Sequence, residues 1–301
     1  LGQVLVWVTA AQRWGRGEAA IRRRARRPVP WNGDGAALAV FLVTLAVLGA
    51  AAGGADPAAG AAAEPPLLPT LADATLQLLV VVGLILLAVG WTRSNYAARP
   101  RDYGMPRSGP ELARDAGLGV GVFLAALGPV YLVQASIVYG FGLPSSHPLL
   151  EALLEAPGWE AIAAAALTAV VAAPLVEELA FRVLLQGWLE KVAYRQGRAK
   201  QRNGRRAWWP IVASSAVWAS AHLGQGLAPV PLLVFGLVLG YAYRQTHRLA
   251  PVLVAHLAFN ALSLVVAVND PRLRPERPAV EPPQPVVVEP AAKTAAAGAN
   301  D

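Results

Sequence analysis

"EAIAAAALTAVVAAPLVEELAFR", residues 160–182, opens as an unbroken apolar run and closes on two adjacent carboxylates and an arginine. Its apolar part approaches the roughly 20 residues that a helix needs to cross a bilayer. Comparable runs lie at 36–54, 74–92, 117–139, 208–224, 229–244 and 250–268. The expected fold is all-α, a polytopic transmembrane helical bundle of about seven to eight spans. The opening "LGQVLVWVTAAQ" (1–12) fits the end of a truncated eighth span, because basic residues follow it where a secretory signal has them in front.

Composition agrees with that reading. The chain is 55% hydrophobic and only 15% charged, with a positive mean hydropathy, which excludes an ordinary soluble domain. It has no cysteine, so a disulfide framework, a thiolate metal site and a cysteine nucleophile are all unavailable. The net charge of +7 is unevenly distributed. "IRRRARR" (21–27), the stretch 93–114 and "KVAYRQGRAKQRNGRR" (191–206) are basic connections, whereas 55–73, 140–158 and 225–231 contain no Lys or Arg. Such alternation is the positive-inside pattern and assigns the basic connections to the cytoplasm. Lipid head groups, not nucleic acid, are the expected neighbours of these arginines.

Three regions follow. Residues 1–35 form a basic lead-in, 36–268 the transmembrane domain, and 269–301 a Pro- and Ala-rich tail without helical periodicity, expected to be disordered. Connection 53–72 reads as a loop on the far side. Beyond "VEELAFR", the stretch "VLLQGWLEKVAYR" reads as an amphipathic extension along the interface anchored by Trp188 and Tyr194, with Pro174 expected to break the helix upstream.

A charge inside a membrane helix costs about 2.5–3.5 kcal/mol even on lenient scales, so those that persist are paired or working. Glu178 and Arg182 are four residues apart and share a helix face, which predicts an ion pair. Glu177 lies about 100° round the helix from its neighbour, and so is expected to point elsewhere and be available for chemistry. His256 and Asn260 are also four apart, putting an imidazole and an amide on one face, and His222 follows Trp218 at the same spacing, where an indole can buttress the ring. Taken singly, a membrane histidine is commonly an interhelical hydrogen-bonding residue and a Glu–Arg pair a structural one. His147 and His247 read as solvated.

"EELAFR", then "WASAH", then "HLAFN" resemble the motifs of the CAAX prenyl endoprotease and bacteriocin-processing family of intramembrane proteases, EExxxR, FxxxH and HxxxN, over roughly residues 120–268. One departure is Trp218 where the family pattern has phenylalanine, and residues 1–115 carry no match. The resemblance implies an intramembrane endopeptidase acting on a membrane-anchored peptide or protein, with its active site open to the cytoplasm. Position by position it implies Glu177 as the base that activates water, His222 as its holder, and His256 with Asn260 as stabilisers of the oxyanion. Glu178, Arg182 and Trp218 would organise the site. A metal-free mechanism is preferred. The metal-dependent alternative takes Glu177, His222 and His256 as ligands of one Zn, although the short HExxH spacing of a zinc helix is missing. The Ala-, Arg- and Gly-rich composition suggests the cytoplasmic membrane of a bacterium. Oligomeric state is not legible. Buried Glu and His also build proton relays, so a proton-coupled transporter or channel is the rival reading, with a non-catalytic scaffold behind it.

A simple topology drawing leaves one conflict. It puts Glu177 near the cytoplasmic boundary and His222 about 20 Å deep, so the two cannot meet without a break at Pro174 or a tilted span.

Overall fold

The computed structural model describes residues 1–24, 28–53, 70–142, 153, 158–195, 208–223 and 225–269, with side chains omitted at 47–53 and 141. The loop expected at 53–72 therefore falls largely outside the described residues, as do His147 and the tail beyond Asn269.

Among the described residues the fold is all-helical, with no strand. In chain order the helices are α1 (Gly2–Gly15), α2 (Gly33–Gly53), α3 (Leu71–Tyr96), α4 (Gly109–Phe141), α5 (Trp159–Arg195), α6 (Trp209–Ser220), α7 (Pro229–Thr246) and α8 (Leu249–Val268). Four of them, α3, α4, α5 and α8, are long and apolar enough to cross a membrane, and α2 contributes a shorter apolar stretch, Gly33–Ala46.

The starts follow local rules. Thr70 and Asp73 cap α3 reciprocally, each side chain meeting the other's backbone N–H. Ser108 caps α4 through the N–H of Glu111. Between α7 and α8 the chain turns over only His247 and Arg248, with His247 in the left-handed region at φ 49°. Gly104, at φ 74°, packs beneath that turn, where a Cβ would lie 2.5 Å from the His247 carbonyl oxygen. No other residue type fits there.

α4 packs against α1, α7 and α8, α6 against α7, and α2 against α3 and the second half of α5. The centre is filled by Trp218, Phe235, Leu239, Tyr243, Leu184 and Trp31, all buried.

α5 differs from its reading in three respects. The helix does not break at Pro174 but runs 37 residues, from Trp159 to Arg195. Two segments, Ala166–Ala172 and Glu178–Gln186, are wound as wide π turns on either side of a short α piece, Ala173–Glu177. Pro174 sits in the first turn of that piece, next to the wide turn, where the absence of an N–H is tolerated. The stretch after Arg182 is also not an interfacial strip: Val183 to Gly187, Leu189, Lys191 and Ala193 are buried. Trp188 packs on Gly33, and only Tyr194 and Arg195 emerge.

Candidate active site

The depth conflict disappears because both boundaries move. α6 stops at Ser220 after 12 residues, about 18 Å, leaving His222 in the turn beyond it. Glu177 lies near the middle of the 37-residue α5. The end of one helix thus meets the middle of the other.

Trp218 joins them. Its buried indole N–H donates to Glu177 Oε2 at 2.7 Å. The Arg182 guanidinium stands 5.3 Å from its ring centroid, in cation–π range. Its edges meet the rings of His222, His256 and Phe235, with centroids 5.4, 5.5 and 6.1 Å away. The sequence suggests a buttress; the hydrogen bond to the carboxylate is additional, and its only signal is indole replacing phenyl in the motif.

Glu178 and Arg182 pair as their spacing predicts, Nε to Oε2 at 3.4 Å with both side chains fully buried. Glu178 does more than hold the arginine, because its other oxygen, Oε1, lies 2.8 Å from His256 Nδ1. A carboxylate can only accept, so Nδ1 carries the proton. That fixes the tautomer and turns Nε2 towards Glu177, whose Oε2 is 3.8 Å away. Glu177 therefore does not face away from its neighbour's partner; both carboxylates address the same imidazole from its two nitrogens. The last residue of the short α piece, the first of the wide turn and one from α8, far apart in sequence, make this contact.

His222 Nδ1 lies 3.1 Å from the Trp218 carbonyl oxygen, an acceptor, so Nδ1 again carries the proton and Nε2 is the acceptor. The ring is half-buried against Trp218. Asn260 behaves differently from its spacing-based expectation. One N–H of its amide donates to the Ala169 carbonyl at 2.8 Å, inside the first wide turn, so imidazole and amide do not converge on one point. The cause is the turn itself, whose widened ladder lets a carbonyl take an outside donor. Phe235 and Phe259, stacked at 4.3 Å, wall the site on the apolar side.

His247, expected to be solvated, is buried. Its Nδ1 lies 3.6 Å from Glu190 Oε2 and its ring stands edge-on to Tyr243. The short α7–α8 turn tucks it inward.

Among the described residues no group of three or more Asp, Glu or His side chains is placed to hold a metal ion.

Residues 159–262 match the model of a family described as type II CAAX prenyl endopeptidase, Rce1-like. This is the family the three motifs resemble, and the matched segment contains Glu177, Glu178, Arg182, Trp218, His222, His256 and Asn260. No curated protein and no solved structure matches the chain. With its apolar helices, the match makes this a multi-pass membrane protein.

Proposed function

We propose that the chain is an intramembrane endopeptidase that hydrolyses a peptide bond in a membrane-associated protein or peptide, using water activated by Glu177. The observation that carries this reading is the 3.8 Å separation of Glu177 Oε2 from His256 Nε2. That is too long for a hydrogen bond, but one water can touch both atoms at about 2.8 Å from each. The family match supports the same reaction class.

In the proposed reaction, the Glu177 carboxylate removes a proton from water as its oxygen attacks the scissile carbonyl carbon. Charge develops on the carbonyl oxygen as the tetrahedral intermediate forms. Protonated Glu177 then gives the proton to the amide nitrogen, the C–N bond breaks, and a carboxylate and an amine leave. Glu178 holds His256 in the required tautomer, and Arg182 balances the charge of Glu178. None of these steps passes through a metal.

The resemblance implies a site open to the cytoplasm, and the substrate would then reach it from that leaflet. The test compares membranes carrying the wild-type chain with membranes carrying Glu177→Gln, scored by mass spectrometry for new peptide termini. Glu177→Gln is expected to fold and to abolish the new termini. Full retention of cleavage by that variant would overturn the assignment, and proton flux without any cleavage would replace protease by transporter.

A further inference from the structure

The basic lead-in, outside the segment that matches the family, reaches the reactive helix directly. Trp31 is fully buried, and its indole N–H donates to the Leu184 carbonyl at 3.1 Å. Leu184 belongs to the wide turn that carries Glu178 and Arg182. Seven residues further along α5, Lys191 grips the same short segment from the other side. Its ammonium donates to the carbonyls of Pro30 and Trp31 at 2.8 and 2.6 Å and to Asn32 Oδ1 at 3.1 Å. Three acceptors use all of its N–H groups. Trp31 itself cannot shift: Tyr103 stacks on it at 5.7 Å, and a Cβ on Gly35 would come within 2.6 Å of its ring.

We propose that Trp31 is a positioning residue for the site, fixing through the Leu184 carbonyl the winding of the wide turn that presents Glu178 to His256. A wide turn is a rare winding that reverts readily to the narrower α ladder unless its splayed carbonyls are satisfied. The other wide turn of α5 is braced in the same way, by Asn260 on Ala169. Glu177 lies between the two braces. If the Leu184 brace is lost, Glu178 rotates and the proton on His256 Nδ1 loses its acceptor. Lys191 keeps the lead-in docked, so the brace acts on winding rather than on association.

This rests on the proposed peptidase reading for its kinetic consequence but not for its geometry, and the experiment separates the two. Trp31 in the full chain is replaced site-specifically by 3-benzothienylalanine, which keeps the shape of the indole and has no N–H, and in parallel by Trp31→Phe. The first readout is the nitrogen-15 spectrum of the histidines in nanodiscs, with the His256 signals assigned by their loss in His256→Gln. The hydrogen-bonded Nδ1 proton of His256 is expected to shift and exchange faster in both variants. The second readout is turnover of an internally quenched peptide ending in a prenylated CAAX sequence, where kcat is expected to fall about tenfold with KM within about twofold. A folded variant whose His256 signals stay in place overturns the proposal whatever its turnover. If the wild-type chain cleaves no peptide, the peptidase reading fails while the histidine spectrum still decides the role of Trp31.

Discussion

Glu177 accepts a hydrogen bond from an indole where the family pattern has a phenyl ring, so this chain orients that carboxylate with a donor that the motif does not specify. A hydrogen bond to a charged group contributes about 1.5–3 kcal/mol. Trp218→Phe keeps the aromatic contacts with Arg182 and His256 and removes only the donor, leaving Oε2 to rotate. In a steady-state assay kcat is expected to drop about tenfold with little change in KM. Arg182→Ala is a different lesion, because it leaves Glu178 buried without its counter-ion, a loss of about 3–5 kcal/mol. Folded yield, followed by size-exclusion chromatography, and activity are both expected to fall, whereas Glu177→Gln spares yield. The Glu178–Arg182 pair was legible from its four-residue spacing. The link from Glu178 to His256 was not, since it spans 78 residues and depends on how α8 docks. Trp31 gave no signal at all: a tryptophan beside prolines in a basic segment looks like an interfacial residue until its N–H is seen on Leu184.

Helix limits show the same division. Apolar runs located α1 to α8, but they could not show that α5 continues past its charges, because a window average falls wherever Glu and Arg are paired inside protein rather than facing lipid. The wide turns are equally silent in sequence, since nothing in "ALTAVVA" or "ELAFRVLLQ" departs from ordinary helix formers. What keeps α5, α6 and α7 in register is a small polar clamp. The Gln186 amide donates to the Gly240 carbonyl at 2.8 Å, and Ser214 donates to Gln186 Oε1 at 3.2 Å. A Cβ at position 240 would lie 2.8 Å from Ile211 Cγ2 and 3.0 Å from Gln186 Oε1. Gly240→Ala is accordingly expected to destabilise the bundle by about 1–3 kcal/mol, seen as a lower thermal midpoint in detergent.

Across the whole molecule, the basic ends collect on one side. The end of α3, the start of α4, the end of α5 and the α7–α8 turn carry arginines, and Arg248 binds Asp115 and Glu111 there at 2.6 and 2.7 Å. The positive-inside rule predicts that this side lies in the cytoplasm. Because the chain has no cysteine, single cysteines report on topology cleanly. Ser108→Cys is expected to react with a membrane-impermeant maleimide only after cells are opened, and Gly158→Cys to react in intact spheroplasts; the reverse pattern would invert the orientation. The length of α5 adds a mechanical consequence. A rod of 37 residues measures about 55 Å, against about 30 Å of hydrocarbon, so it must lean or project. Glu177 rides at the midpoint of that rod. Thinner lipid would tip it further and thicker lipid would draw it upright, so the host membrane itself would set the height at which the carboxylate waits.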